Sequence, residues 1–316
     1  MDEVVDQEWV SAAATRNYMA RNPLVAWLHL YGQVNGFKQD DELPGYDPRT
    51  DFTNFILSQG VAFEAAVTRH LATKISILTI SRHPGDIRSP RKAQETVEAM
   101  KAGYPLIAQG VLQDTASRTY GAPDFLIRSD VLDEMFPGTC PQEEVAISAP
   151  GLQSDGYHYR VVDIKFTTLD LNSDEFLANN GSSPAYKAQL FIYNRALGAI
   201  QGYLPPIAYL LGRSWRQTKR GETIRGTNCM NRLAPCGITE TIGGQPLEDW
   251  VDWASAWLRK VRSDGGSWEI LPEPSVPELW PNMGDVSDFP WHGAKTHIGK
   301  SLSDLTLLWF RRFPAL

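Results

Sequence analysis

Tyr159-Arg-Val-Val-Asp163-Ile-Lys165-Phe166 is the run whose reading decides the fold. It is short, rich in β-branched and aromatic residues and flanked by Gly/Ser-containing segments, which is the pattern of a strand. Strand side chains alternate between faces, so Asp163 and Lys165 point one way while Val162, Ile164 and Phe166 enter the opposite layer. Burying an Asp and a Lys together is costly unless they are paired or functional. Taken alone, the run fits an ion pair on a half-exposed strand equally well.

Upstream of it, Ile107 to Leu112 and Phe125 to Ile127 also read as strands, with a long loop at 137–156 before the third. Farther upstream, Phe52 to Lys74 carries Phe55, Ile56, Val61, Phe63, Val67 and Leu71 at helical spacing. Downstream, Pro184 opens a helix through Leu190, Tyr193 and Leu197 that Gly198 and Gly202 close, and Ile207 to Leu211 gives one more strand. The order is helix, three strands, helix, strand (αβββαβ), which predicts an α/β core whose mixed sheet is flanked by helices. Before it, Ser11 caps a helix over Ala12 to Tyr18, Asn22-Pro23 interrupts, and Leu24 to Tyr31 is apolar. After it, Leu247 to Val261 is amphipathic, with Trp250, Trp253, Trp257 and Val261 on the face expected to enter the core, and 302–313 is apolar enough to need a partner. We therefore divide the chain into an N-terminal helical segment (1–58), a core (59–236) and a Trp-rich helical extension packing on that core (237–316).

Four features carry chemistry. Glu64 sits on the first long helix, where taken alone it reads as a surface residue. Gly121-Ala-Pro-Asp124 leads into Phe125, so Asp124 stands either in a turn or at a strand mouth that could hold a metal. Asp163 and Lys165 form the third feature. Gln189 and Tyr193, at i and i+4, share one helix face. Hard divalent cations take oxygen ligands, usually one or two carboxylates with water and phosphate oxygens. Glu64, Asp124, Asp163 and a backbone carbonyl such as that of Ile164 would supply such a shell, with Lys165 beside it to orient a nucleophile and stabilise negative charge. This is equipment for phosphodiester hydrolysis, and Gln189 and Tyr193 would position the backbone of the substrate or the surroundings of Lys165.

In that order, Glu64 within QGVAFEAAV, GAPD ending at Asp124, DIK at 163–165 and QLFIY at 189–193 resemble the PD-(D/E)XK nuclease superfamily, and more narrowly its RecB-type branch with the Gln-x-x-x-Tyr helix. The opening VSAAATRNYMARNP is similar to the helix that begins many such domains, and the resemblance spans roughly residues 10–215. It implies a restriction-endonuclease-like core and a Mg2+ or Mn2+ dependent DNase for DNA repair, recombination or the processing of phage or viral genomes. Asp124, Asp163 and Glu64 would hold the metal, Lys165 would be catalytic, and Gln189 and Tyr193 accessory. A catalytically inactive DNA-binding or assembly module on the same fold is the alternative. The chain departs from iron–sulfur relatives: Asn22 stands near the place of their first cysteine, and Cys229 and Cys236 have no close third. Neither an iron–sulfur cluster nor zinc is expected. His70, six residues past Glu64, is expected to face away from it in a surface or capping role.

The 316 residues are 42% hydrophobic and 21% charged, which excludes fibrous and wholly disordered classes. No apolar run reaches the ~18 residues of a membrane helix. The acidic start, with Asp2, Glu3, Asp6 and Glu8, is unlike a signal peptide. With three scattered cysteines this predicts an intracellular protein, not a secreted one. The net charge of -7 argues at face value against nucleic acid. A groove is local, however, and the basic residues cluster. Between 205 and 236, Arg213, Arg216, Lys219, Arg220, Arg225 and Arg232, with Trp215 among them and Glu222 the single acid, form a stretch that is either a solvated connector or a phosphate-tracking surface; Arg82, Arg88, Arg91 and Lys92, with only Asp86 among them, form a second. The expected partners are DNA and, since such nuclease domains often adjoin other activities, a helicase or another replication or recombination protein; no membrane is expected.

Overall fold

The structure, a computed structural model, describes residues 8–308. Its frame is one mixed seven-stranded sheet. In chain order the main elements are α1 (Phe52–Ala72), β1 (Ile77–Thr79), α2 (Pro90–Lys101), β2 (Leu106–Ala108), β3 (Leu112–Asp114), β4 (Thr119–Gly121), β5 (Phe125–Arg128) and β6 (Tyr159–Leu171). They continue with α3 (Ser183–Gln201), β7 (Ile207–Lys219), β8 (Glu222–Gly226), β9 (Ala234–Gly237), α4 (Leu247–Asp264) and α5 (His292–Ser301). The sheet runs β9-β7-β6-β5-β2-β1, with β8 added on β7. β2, β5 and β6 are successively antiparallel, and the α3 crossover returns the chain so that β7 lies parallel to β6.

Alternation on these strands separates two apolar layers. Val67 and Leu71 of α1 pack with Phe125, Ile127, Val162 and Ile164 on one face. Leu126, Val161 and Leu210 pack with Met100 of α2 and Leu190 and Leu197 of α3 on the other. A third cluster joins the ends of the chain, where Trp27 and Leu28 pack with Trp257, Val261, Trp291 and Ile298. The N-terminal segment is thus built against the C-terminal one. Ser11 accepts from the Ala14 N–H as the expected cap, but the helix it opens is 3-10 over Ala12–Thr15 and α over Arg16–Met19.

The structure corrects four expectations. Residue 58 falls inside α1, so the boundary drawn there cuts a single helix. Only the second half of α1 packs; Phe52, Phe55, Leu57 and Val61 are exposed. The strand read from Ile107 to Leu112 is two strands, broken where Gln109 turns left-handed (φ 52°) ahead of Gly110. Its second half leaves for a small sheet in which β4 pairs β3 antiparallel and Val10–Ser11 parallel. Finally, β7 does not stop at Leu211 but runs to Lys219, so part of the basic stretch is a β-hairpin rather than a connector.

The apolar stretch beginning at Leu302 makes a 3-10 turn at Leu305–Leu307, and its remainder from 309 lies outside the described residues, as do Asp2, Glu3 and Asp6. Among the described residues no helix is long and apolar enough to cross a membrane.

Candidate active site

Asp163 and Lys165 share one face of β6, as alternation requires. Asp163 is 2% exposed, and its Oδ2 lies 2.6 Å from Lys165 Nζ. That oxygen makes no hydrogen bond of acceptable geometry among the described residues, so the ion pair alone compensates it. Burial pulls the Lys165 ammonium towards neutrality, but Asp163 and Asp124 together outweigh it and hold the amine above its ordinary value. The lysine is held as a cation.

The start of β5 brings Asp124 to the same place. Its Oδ2 accepts from the Ile164 N–H at 2.5 Å, and its Oδ1 accepts from Gln109 Nε2 at 2.9 Å. The same Gln109 nitrogen donates to Glu64 Oε1 at 2.8 Å, tying α1 to the sheet. Both carboxyls are pushed above the usual carboxylate range, first by burial, then by the surrounding acids; Asp124 is raised well above it by Asp163 and Glu64, and Glu64 less, by Asp163.

Gln189 and Tyr193 come from α3, and Gln189 Nε2 donates to Tyr193 Oη at 2.8 Å. Tyr193 is 4% exposed, its phenol raised well above the ordinary value by burial and then by the charge of Asp163. It fits because residue 121 is glycine: a Cβ there would stand 2.4 Å from Tyr193 Cε1. Two residues that the sequence reading missed complete the set. Tyr186 places its ring 5.4 Å from Lys165 Nζ, and lies three and seven positions before Gln189 and Tyr193, spacing that puts it on their face. Gln109 is the other; its sequence signal was the Gln-Gly pair ending an apolar run.

Glu64, Asp124, Asp163 and Lys165, drawn from three elements, therefore meet where β5 begins beside β6, in the interior of the sheet. Among the described residues they do not form a closed cage of three acidic or sulfur/imidazole ligands. The Gln109 amide stands between Glu64 and Asp124, and the Lys165 ammonium sits on Asp163. The carboxylates of Glu64, Asp124 and Asp163 are oxygen donors of the kind Mg2+ or Mn2+ takes.

The basic residues sort by partner. Arg216 pairs with Asp170, and the Arg213 guanidinium lies 4.9 Å from the Phe166 ring centre. Trp215 is covered by Arg232 at 5.0 Å and lies against Gly226, so it offers no free stacking platform. Lys219 and Arg220 are exposed. In the second stretch, Arg88 donates to Tyr120, while Arg91 and Lys92 pair with Glu95. His70 lines an open cleft of about 580 Å³ with Phe63, Lys74, Cys229 and Met230, between α1 and the segment after β8. Cys140 lies 3.5 Å from Arg160, and Cys236 is buried elsewhere. The chain matches no protein-family model, no curated protein and no solved structure.

Proposed function

We propose that the protein is a metal-dependent DNA nuclease with a restriction-endonuclease-like core of the PD-(D/E)XK type, closest in its motifs to the RecB branch. One observation carries the reading: Glu64, Asp124, Asp163 and Lys165, scattered over a hundred residues, meet around one point, with Gln189 and Tyr193 on the crossover helix. The antiparallel trio β2, β5 and β6, followed through α3 by the parallel β7, supports it, although β1 and α2 intervene between α1 and that trio.

Glu64, Asp124, Asp163 and the Ile164 carbonyl would hold Mg2+ or Mn2+. When bound, the ion supplies a water of lowered pKa and positive charge against the phosphate oxygens. Lys165, kept charged by Asp163 and Asp124, donates to the attacking oxygen or to the phosphoryl oxygen on which charge develops. Gln189 and Tyr193 hold each other, and Tyr186 on the same helix face would wall the lysine so that its ammonium stays directed at the carboxylates.

Incubating linear and circular DNA with the protein in Mg2+, Mn2+ or EDTA tests the reading. Cleavage should need the metal and fall by roughly a hundredfold or more in Asp163→Ala and Lys165→Ala, in line with loss of a transition-state donor. Undiminished cleavage in either variant sinks the assignment, and salt-sensitive binding without turnover at any metal concentration returns the inactive-module alternative.

A further inference from the structure

The β7–β8 hairpin goes beyond what the sheet needs. β7 stays paired with β6 as far as Gln217 opposite Leu171, after which only β8 accompanies it. Residues 218–225 are all exposed. Gly212 of β7 stands opposite Lys165, so the end of β7 at Lys219 lies seven residues past the catalytic lysine. At ~3.3 Å per residue that is a reach of roughly 23 Å, about two-thirds of the ~34 Å turn of B-form DNA.

Two details of the hairpin work against its stability. Arg216 and Arg225 are directly opposite, a like-charge pairing that strands normally avoid. Asp170 neutralises Arg216 and leaves Arg225 uncompensated. At the apex a two-residue turn, Arg220-Gly221, holds both residues at positive φ (52° and 83°), where the first place normally goes to Asn, Asp or Gly. Arg220 thus occupies a strained tip. Lys219, Arg220 and Arg225 have no ion-pair partner among the described residues, whereas Arg216 and Arg232 are bound to Asp170 and Glu175.

We propose that this ribbon is an arm that grips duplex DNA through its phosphates with Lys219, Arg220 and Arg225, a reading that rests on the site being a DNA nuclease. A two-stranded ribbon fits the major groove of B-form DNA, whereas the A-form groove of duplex RNA is too deep and narrow to admit it. Residues 218–225 hold no aromatic side chain, so the base stacking that grips single strands is missing from the arm. Phosphate contacts carry no base information, and the grip is independent of sequence.

Fluorescence anisotropy in EDTA, with the full chain, measures binding to a 25-base-pair DNA duplex, the same DNA single-stranded, and the matching RNA duplex over a range of NaCl. The duplex DNA should bind tightest, with Lys219→Ala/Arg220→Ala/Arg225→Ala lowering the slope of log affinity against log salt by about 1 per side chain. Arg220→Asn, which suits the turn, should weaken duplex binding while leaving the melting temperature unchanged or higher. An unchanged slope in the triple variant overturns the arm, and so does an equal loss on single-stranded DNA or duplex RNA. The nuclease reading is judged apart, by metal-dependent cleavage in the wild type and its loss in Asp163→Ala, so arm-dependent binding without wild-type cleavage would remove that reading and keep the arm.

Discussion

Gln109 shows how one neutral side chain can organise a charged site. Its left-handed backbone is fixed on both sides: its N–H donates to the Asp124 carbonyl at 3.0 Å and its carbonyl accepts from Ser81 at 3.2 Å. That fixes where the amide points, and one nitrogen then bridges two carboxylates from different elements. Gln109→Leu keeps the bulk and removes both hydrogen bonds, leaving a carboxylate pair without its donor. A loss of about 1–3 kcal/mol is expected in EDTA, the range for depriving a part-buried polar group of its partner. Mg2+ or Mn2+ should close most of that gap, because a ligand that binds only the native state stabilises it, and here it would restore the missing positive field. Thermal melts with and without metal check this; a variant that melts like the wild type in EDTA shows that the bridge has no organising role.

At the scale of elements, the 137–156 segment is clamped to β6 by a buried polar chain around the start of that strand. His158 Nδ1 meets the Ile147 carbonyl at 2.9 Å, which places the ring proton there, and Nε2 accepts from Arg160 Nε at 2.7 Å. Arg160, wholly buried, continues to Glu144, with Cys140 and Tyr203 alongside and Asp130 acting at longer range. Burial first, and then the Arg160 charge, push the imidazole down to about 4, against the weaker pull of the Ile147 carbonyl and Asp130. An unfolded histidine takes its proton near pH ~6.5, so between there and about pH 4 the unfolded chain binds the extra proton. The clamp's stability is complete above ~6.5 and drains away as the pH falls, by about 3 kcal/mol in all. Urea unfolding at pH 7 and pH 4.5 should show that fall in the wild type and a shallower one in His158→Gln; parallel slopes would refute the clamp. The elements legible in the sequence were those with a period or a cap. β5 is a short buried apolar run, β6 alternates apolar and charged residues from Val162 to Phe166, and α3 opens on Pro184 and closes on Gly202. β1, β3 and β4 are three residues each, too short to show a period, and residues 218–225 of the ribbon are solvent-exposed on both faces, so no apolar pattern marked that part as strand.

For the whole molecule, the legible part was the order of the motifs, because Glu64, Asp124, Asp163, Lys165, Gln189 and Tyr193 each sit on an element with its own local signature. The domain division was not legible, since it depends on contacts between the two ends of the chain. Trp27 Nε1 donates to the Gly265 carbonyl at 2.8 Å, and Trp257 Nε1 to the Pro23 carbonyl at 3.1 Å. Arg259 of α4 reaches the Ser117 carbonyl at 2.6 Å, beside the small sheet that carries Gly121 and so seats Tyr193. α4 also lies against α3, the helix that presents Gln189 and Tyr193 to the site, and Trp250, Val251 and Ala254 share its apolar cluster. A fragment of residues 59–236 would hold every proposed site residue, yet it would leave the outer side of α3 and of the small sheet open to water. Because exposed apolar surface on that scale removes a large part of the driving force for folding, such a fragment should show no cooperative urea transition, whereas 8–308 should unfold with one. Circular dichroism together with amide hydrogen exchange decides it: a sharp transition and protected amides in α3 of the fragment would show that the core stands alone and that the two ends only decorate it.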